Sequence, residues 1–246
     1  MSLLSPISAS EMRSISSVPP VGLIQSSQLL RVLATDWTST TGVLQRFSRS
    51  TAKDAWKAVG AAVPVSLGRN GLVWGLGLHT DLPPDAPLKQ EGDGCAPAGV
   101  FALTSLFGEA GAESLFAQSA RLPYLCATAN FKCVNDPASR HYNRIVDQRD
   151  VTVDWQSAEE MRRENGRYAI GAVIAHNVDP PRAGAGSCIF LHVHAAPGVP
   201  TAGCTAAALD DVLTICGWLD AASHPVLLQL PEGEYRQRQA AWGLPP

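Results

Sequence analysis

The sequence predicts a mostly β fold, a β-sandwich or open barrel that carries a long irregular capping insertion and one late helix. Short apolar runs recur along the chain and are separated by turn residues, among them many of the 21 glycines and 18 prolines. Hydrophobic residues make up 46% of the chain, which is enough for a sizeable core. The predicted strands do not alternate regularly with helices, and this disfavours a βαβ arrangement.

The first half of the chain predicts a β-meander followed by a loop. The apolar run 28–34 and the alternating run 42–48 flank turn residues, which is typical of a hairpin. Residues 79–100 are polar and contain four prolines, so they are predicted to form a surface loop. The remaining predicted elements are strands at 55–59, 64–68 and 99–103 and an irregular Gly-rich stretch at 71–78.

The second half predicts the insertion, three strands and the helix. Residues 105–150 hold few periodic segments and are predicted to be the capping insertion. Ser157, followed three residues later by Glu160, has the pattern of a helix start. Apolar residues recur with helical spacing over 206–221. The predicted strands are 168–175, 187–194 and 226–230.

The domain organisation predicted from 246 residues is a flexible Ser-rich leader, 1–20, and a single domain over 21–246. No run of 18 apolar residues occurs, so no integral membrane span is predicted. The N-terminal residues also lack the basic start and continuous apolar stretch of a secretory signal.

Charge and motifs exclude several function classes. The net charge of -3 disfavours binding of nucleic acid through phosphate contacts. The Gly-rich stretch 71–78 matches neither a dinucleotide fingerprint nor a phosphate-binding loop, so no cofactor is predicted. The six cysteines contain no CxxC pair, which disfavours a zinc ribbon. They leave two interpretations open: a disulfide between Cys126 and Cys133, or reduced thiols of which several are buried.

Residues 186–206 carry the predicted chemistry. Side chains two positions apart on a strand point to one face, so His192 and His194 share a face. A Thr-Ala-Gly-Cys run then leads into the predicted helix, whose dipole would favour the thiolate of Cys204. Gly203 has no side chain, so its N–H and that of Cys204 can approach a developing oxyanion. With a histidine as the base, these are the parts of cysteine acyl transfer.

Other candidate residues allow alternative interpretations. The two-histidine pattern leaves open a metal site completed by His176 or His141. No carboxylate stands at ligand spacing, so no metal is predicted. Arg140 has the chemistry to bind a peptide carboxylate, and Tyr142 and Asn143 lie in the same polar loop. Ordinary loop structure explains these three residues equally well.

The run GSCIFLH at 186–192, followed by PTAGC at 200–204, resembles the active-site segment of the YkuD/ErfK-type L,D-transpeptidases. These are bacterial cell-wall enzymes with a β-rich catalytic domain. Their pattern is a histidine near a strand end, a spacer and then Ser/Thr-His-Gly-Cys. His192 matches the base, and Thr201, Gly203 and Cys204 match the end of the motif. Further likenesses at 68–75, 91–101 and 135–143 extend the resemblance over roughly residues 28 to 221.

This sequence departs from the family pattern at three places. Ala202 stands where the family has a histidine, and Ala206 stands where it has Asn or Arg. The twelve positions from His192 to Cys204 are fewer than is usual. The missing groups normally shape the site and hold the acyl donor, so the resemblance does not fix donor or acceptor preference.

The resemblance implies a YkuD-like catalytic domain and a peptidoglycan L,D-transpeptidase that uses no cofactor. Cys204 would attack the diamino-acid carbonyl of a tetrapeptide stem, expel D-alanine and pass the acyl group to an amine of a second stem. His192 would move the protons. His194, Thr201 and His176, together with the loop residues Arg140, Tyr142 and Asn143, would contact the substrate.

Two alternatives remain beside the transpeptidase. One is an L,D-carboxypeptidase or amide hydrolase on the same scaffold, and the other is a catalytically silent cell-wall-binding module. Because stem peptides lie outside the cytoplasmic membrane, the resemblance implies a periplasmic or exported protein.

Overall fold

The computed structural model describes residues 19–80 and 82–246, so the predicted leader lies outside the described residues except for its last two. Strands make up 34% and helices 13%, which confirms a mostly β fold. The helices are α1 (Val21–Gln25), α2 (Leu115–Ser119), α3 (Leu209–Trp218) and α4 (Glu232–Arg238), with a 3-10 turn at Ala221–Ser223. The strands are β1 (Gln28–Ala34), β2 (Thr41–Ser48), β3 (Lys57–Ser66), β4 (Leu72–Trp74), β5 (Ala96–Gly108), β6 (Tyr124–Cys126), β7 (Phe131–Val134), β8 (Ile145–Asp147), β9 (Ala158–Glu160), β10 (Ile170–Ile174), β11 (Phe190–Val193), β12 (Thr205–Ala207) and β13 (Val226–Pro231).

The largest sheet closes on itself. Its order is β10-β11-β12-β3-β2-β1-β13-β5, and β10 also pairs antiparallel with β5. The result is a closed ring of eight strands rather than an open sheet, which refines the predicted sandwich or open barrel. The 13 residues of β5 make this possible, because its successive segments pair with β4, β13, β10 and β6.

The strand predictions in the first half are largely confirmed. Residues 28–34 form β1, and 42–48 form β2 with one additional residue. The two segments predicted at 55–59 and 64–68 belong to one strand, β3, which pairs along β2 through a register shift. The ring encloses a core of side chains that are fully or almost fully buried. Representative members are Leu30, Val32, Phe101, Leu106, Leu191 and Leu228.

The predicted late helix is confirmed as α3, and a second one, α4, follows β13. Apolar side chains of α3 at Val212, Ile215 and Cys216 are buried. In α4 the acidic residues lie in the first turn and the arginines in the last, an arrangement that the helix dipole favours. The pairs Glu232–Arg236 and Glu234–Arg238 also join residues four positions apart. Within 19–80 and 82–246, none of the helices has the length and apolar composition that crossing a membrane requires.

The segment predicted as an irregular insertion, 105–150, is partly regular: its first residues belong to β5, and it contributes β7 and β8 to a separate sheet. The third strand of this insertion sheet is β9, which lies beyond the predicted bounds, and the order is β8-β7-β9. The predicted helix start at Ser157 is wrong, because residues 158–160 form β9. Cys133 and Lys132 of β7 pair in register with Glu159 and Glu160. This non-local pairing overrides a local capping pattern, which is worth only about 1 kcal/mol.

A disulfide joins the insertion sheet to the ring. The bond links Cys133 of β7 to Cys188, which precedes β11, with Cα atoms 5.9 Å apart. The open interpretation of a Cys126–Cys133 bridge is therefore wrong. Cys126 lies in β6, which pairs with β5 of the main sheet, and its thiol is free.

Candidate active site

A small cavity beside β11 brings the two main candidate residues together. Its volume is about 80 Å³, and both His192 and Cys204 line it. Cys204 immediately precedes β12, which pairs parallel with β11, and His192 is in register with Ala206. The pairing of these two short strands therefore sets the spacing between thiol and imidazole. The remaining lining residues are Arg163, Arg167, Tyr168, His194, Ala195, Val199, Pro200, Thr201 and Ala202.

The thiol of Cys204 is buried and held by backbone groups of the preceding strand. It accepts a hydrogen bond from the Phe190 N–H at 3.4 Å and donates one to the Cys188 carbonyl at 3.5 Å. Burial raises the pKa of the Cys204 thiol to about 12, and the charge of Glu159 acts in the same direction. The resting group is therefore the protonated thiol.

The prediction that Cys204 lies at a helix N-terminus is wrong. Residues 205–207 form β12, and α3 begins at Leu209 with Ala208 as its N-cap. The pairing of Ala206 with both His192 and Ser66 draws this segment into the ring as a strand. The α3 dipole is therefore too far along the chain to stabilise a thiolate, since its effect falls off within one turn.

His192 rests as a neutral imidazole with one nitrogen available. Its Nδ1 lies 2.8 Å from the Val193 carbonyl, so Nδ1 carries the proton and Nε2 is left as an acceptor. Burial lowers the pKa of His192 to about 4. A neutral thiol and a neutral imidazole thus share the cavity, which is the resting state for general-base activation of a nucleophile.

The turn before Cys204 is fixed by Thr201. The Thr201 hydroxyl donates to the Cys204 carbonyl at 2.6 Å and accepts the Gly203 N–H at 3.1 Å. The predicted role of the Gly203 N–H as an oxyanion donor is thereby corrected, because that N–H is already bound. Gly203 has φ of +148°, and a Cβ there would lie 3.0 Å from the Cys95 carbonyl oxygen. Glycine is needed for this close approach.

A buried lysine lies next to the same turn, at Gly203. The sequence did not predict it as part of the site. Lys89 is almost fully buried, and its Nζ lies 2.6 Å from Asp93. The ammonium group is also 3.4 Å from where a Gly203 Cβ would stand. Its positive charge lowers the pKa of the Cys204 thiol and so counteracts part of the effect of burial. Lysine in a polar, proline-rich loop gives no sequence signal for such a role.

Three further residues of the site come from segments that sequence reasoning had assigned to structure alone. The Tyr168 ring packs edge-on against His192, with centroids 5.3 Å apart. The Tyr168 hydroxyl donates to Glu159 Oε2 at 2.6 Å, and Arg163 donates to the same oxygen at 3.0 Å. Burial raises the pKa of the Glu159 carboxyl. Glu159 belongs to β9, so the insertion sheet reaches the cavity through this cluster.

The predicted substrate loop does not reach the cavity. Arg140 is exposed and pairs with Asp154 at 3.2 Å. The Tyr142 hydroxyl donates to Glu91 at 2.5 Å. The Asn143 amide nitrogen donates to the backbone carbonyls of 176 and 177, and its oxygen accepts the Cys188 N–H. None of the three lines the cavity: Arg140 pairs within its own segment, whereas Tyr142 and Asn143 tie that segment to other parts of the chain.

The remaining predicted residues divide between the cavity and the core. His194 and Thr201 line the cavity. His176 does not: its Nδ1 accepts the Leu76 N–H at 3.1 Å, and its Nε2 lies 2.9 Å from the Ala185 carbonyl. Both ring nitrogens are thus satisfied in the core.

The alternative metal site is not assembled. His176 is held in the core, and His141 packs edge-on against Trp155 with centroids 5.8 Å apart. Across the part of the chain that the structure describes, no three His, Cys, Asp or Glu side chains are grouped closely enough to hold a metal ion.

Comparison with known proteins gives no assignment: no protein-family model, no curated protein and no solved structure matches this chain.

Proposed function

We propose that this protein is a cysteine acyltransferase of the peptidoglycan L,D-transpeptidase type. The observation that carries the proposal is that one small cavity holds a buried Cys204 thiol and a neutral His192 with its Nε2 available. The resemblance of residues 186–204 to the active-site segment of that family supplies the substrate class. The proposed substrates are peptidoglycan stem peptides, which makes the protein periplasmic or exported.

The first half of the proposed reaction is acylation. His192 Nε2 takes the proton of the Cys204 thiol as the sulfur attacks the diamino-acid carbonyl of a tetrapeptide stem. The carbon–nitrogen bond to the terminal D-alanine then breaks, and the imidazolium returns its proton to the leaving amine. The products are free D-alanine and a thioester on Cys204.

The second half is transfer to an amine. An amine of a second stem attacks the thioester, His192 takes the proton that this amine loses, and the proton returns to the departing sulfur. The new amide joins two stems, and both Cys204 and His192 regain their resting protonation. No redox step is involved.

A hydrolase on the same scaffold is the second candidate, and Ala202 favours it. This residue is exposed on the cavity wall where the resembling family has a histidine, so the cavity has space for water. Ala206, the other departure, is fully buried between strands and adds no space there.

The test is to incubate the purified protein with disaccharide-tetrapeptide fragments and to identify the products by mass spectrometry. We expect a cross-linked dimer that has lost D-alanine. Cys204→Ala should form no dimer, whereas Cys126→Ala, which removes a free thiol outside the cavity, should form it normally. If tripeptide is the only product, the protein is a carboxypeptidase and not a transferase. Unchanged substrate would leave a cell-wall-binding module as the remaining interpretation.

A further inference from the structure

The cavity around Cys204 is lined by cationic and titratable nitrogen groups. Two arginines and two histidines line it, and none of its described lining residues is acidic. Arg163 is already engaged, because it pairs with Glu159 at 3.0 Å and its guanidinium carbon lies over the Tyr168 ring, 4.3 Å from the centroid. Arg167 differs, because its side chain takes part in none of the ion pairs formed by the described residues.

The backbone of Arg167 is fixed although its side chain is exposed. Its carbonyl accepts the Val193 N–H at 3.0 Å, which ties it to the strand residue next to His192. Its own N–H donates to the Asn165 side chain at 3.1 Å. The backbone of Arg167 is therefore anchored beside the cavity that the residue lines, while its side chain is open to solvent.

We propose that Arg167 binds a carboxylate of the substrate at the mouth of the Cys204 cavity and so selects molecules with a negative charge close to the reacting carbon. A guanidinium offers paired N–H donors that match the two oxygens of a carboxylate. For acyl substrates this proposal rests on the proposed function, and it makes Arg167 a specificity-determining residue. It also assigns to Arg167 the role that the sequence had suggested for Arg140, whose side chain is committed to Asp154.

The charge of Arg167 also acts on His192, the proposed base. Together with Arg163 it contributes to the lowered pKa of His192, after the larger effect of burial. A carboxylate bound at Arg167 would offset this charge, so substrate binding itself would make the imidazole a stronger base.

The experiment compares alkylation of Cys204 by iodoacetate, which carries a carboxylate, with alkylation by neutral iodoacetamide. Peptide mass spectrometry follows Cys204 separately from the other thiols, at one mildly alkaline pH. The variants are Arg167→Gln and a matched control, Arg162→Gln, which removes one exposed arginine close in sequence but outside the cavity. Dividing the two rates cancels any change in thiol reactivity.

We expect Arg167→Gln to lower the iodoacetate-to-iodoacetamide rate ratio about two- to fivefold, the range that a solvent-exposed ion pair provides. Arg162→Gln should leave the ratio unchanged. An unchanged ratio in Arg167→Gln, an equal fall in Arg162→Gln, or no reaction of wild-type Cys204 with either reagent would overturn the proposal.

These reagents need no acyl transfer, so the outcome is independent of the stem-peptide assay. A cavity that prefers iodoacetate through Arg167 but leaves stem peptides unchanged would refute the proposed function alone. Stem-peptide turnover that is insensitive to Arg167→Gln, with an unchanged alkylation ratio, would refute the carboxylate site alone.

Discussion

The ring and the insertion sheet are built in different ways. Continuous pairing of neighbouring strands closes the ring, so each of its strands is held on both sides. The three-stranded insertion sheet has two short outer strands, and specific cross-links connect it to the ring. These are the Cys133–Cys188 disulfide, the Asn143 amide and the Glu159–Tyr168 hydrogen bond.

The ring and the insertion sheet contribute differently to the site: the ring carries Cys204 and His192, and the insertion sheet affects the pKa of the Cys204 thiol. The two groups that we propose to react lie at ring strands: His192 belongs to β11, and Cys204 directly precedes β12. Glu159, which raises the pKa of the thiol, comes from the insertion. We therefore expect substitutions in the ring to abolish chemistry or stability, and substitutions in the insertion to loosen or retune the site.

The largest expected effect distinguishes His192, which lies in β11, from His194, which directly follows that strand. In His192→Gln no base remains to take the thiol proton, so the rate of acyl-enzyme formation should fall about 10²- to 10⁴-fold. His194→Gln should lower it by less than about tenfold, because His194 only lines the cavity. Rapid-quench mass spectrometry of the acyl-enzyme measures both rates. Equal losses in the two variants would contradict the assignment of the base.

Removing the disulfide should test the dependence of the insertion on its cross-links. Replacing both Cys133 and Cys188 by alanine should lower the free energy of unfolding by about 2–5 kcal/mol. Hydrogen exchange should rise within residues 131–160 and not in β1 or β13. Cys126→Ala is the control, because that thiol is free and half-buried. A uniform rise of exchange across the ring would show that the two regions are not separately held.

Acid should act on the ring, because one buried histidine, His192, lies in a ring strand and two more, His79 and His176, pack against Phe101 of β5. Burial lowers the pKa of His79, His176 and His192 from 6.5 to about 4. The unfolded chain then binds protons more readily, so stability is full above pH 6.5 and is lost as the pH falls towards 4. The loss should be on the order of 3 kcal/mol per histidine. Denaturant titrations across this interval measure it.

The variant His192→Gln gives a sharper form of the acid test. It removes one of the three titrating groups, so the dependence of stability on pH should become shallower by about a third. A wild-type protein whose unfolding free energy is flat between pH 6.5 and pH 4 would contradict the burial of these imidazoles.

The smallest effect should come from the insertion acting on the thiol. Glu159→Gln removes the charge that raises the pKa of Cys204, while its amide oxygen can still accept the Tyr168 hydroxyl. Alkylation of Cys204 by iodoacetamide at fixed pH should therefore become a few-fold faster. Glu160→Gln, whose carboxylate instead pairs with Lys132 on the exposed side, should change nothing. A slower reaction in Glu159→Gln would contradict the prediction that Glu159 raises the pKa of the Cys204 thiol.

Much of the ring could be predicted from the sequence because its patterns are local. The apolar runs of β1 and β13 lie in mostly buried segments, and in the alternating strand β2 only Leu44 and Phe47 are buried. The strand β12 could not be predicted, since Thr205-Ala-Ala has no diagnostic period. Its strand conformation depends on pairing with β11 and with Ser66, which are far away in sequence.

The structure brings the two predicted reacting residues, His192 and Cys204, into one cavity, whereas the surroundings of that cavity were not predicted. The spacing of His192 and Cys204 gave both candidates because strand geometry and a motif agreed there. The pairing of Cys133 with Cys188 spans 55 residues and has no local signal. The polar loop that contains Arg140 and Tyr142 has the composition of a binding loop, but Arg140 pairs with the nearby Asp154 and Tyr142 ties the loop to Glu91.

The parallel pairing of β1 with β13 also fixes an order for the assembly of the ring during synthesis. Residues of β1 pair parallel with β13, so Leu29 meets Val226 and Ala34 meets Pro231. Nearly two hundred residues must leave the ribosome before β1 can acquire that neighbour, and contacts so distant in sequence form slowly. Until then one edge of the β1–β2 hairpin is open to pairing with another chain. The nascent protein is therefore most exposed to misassembly just before its last strand emerges.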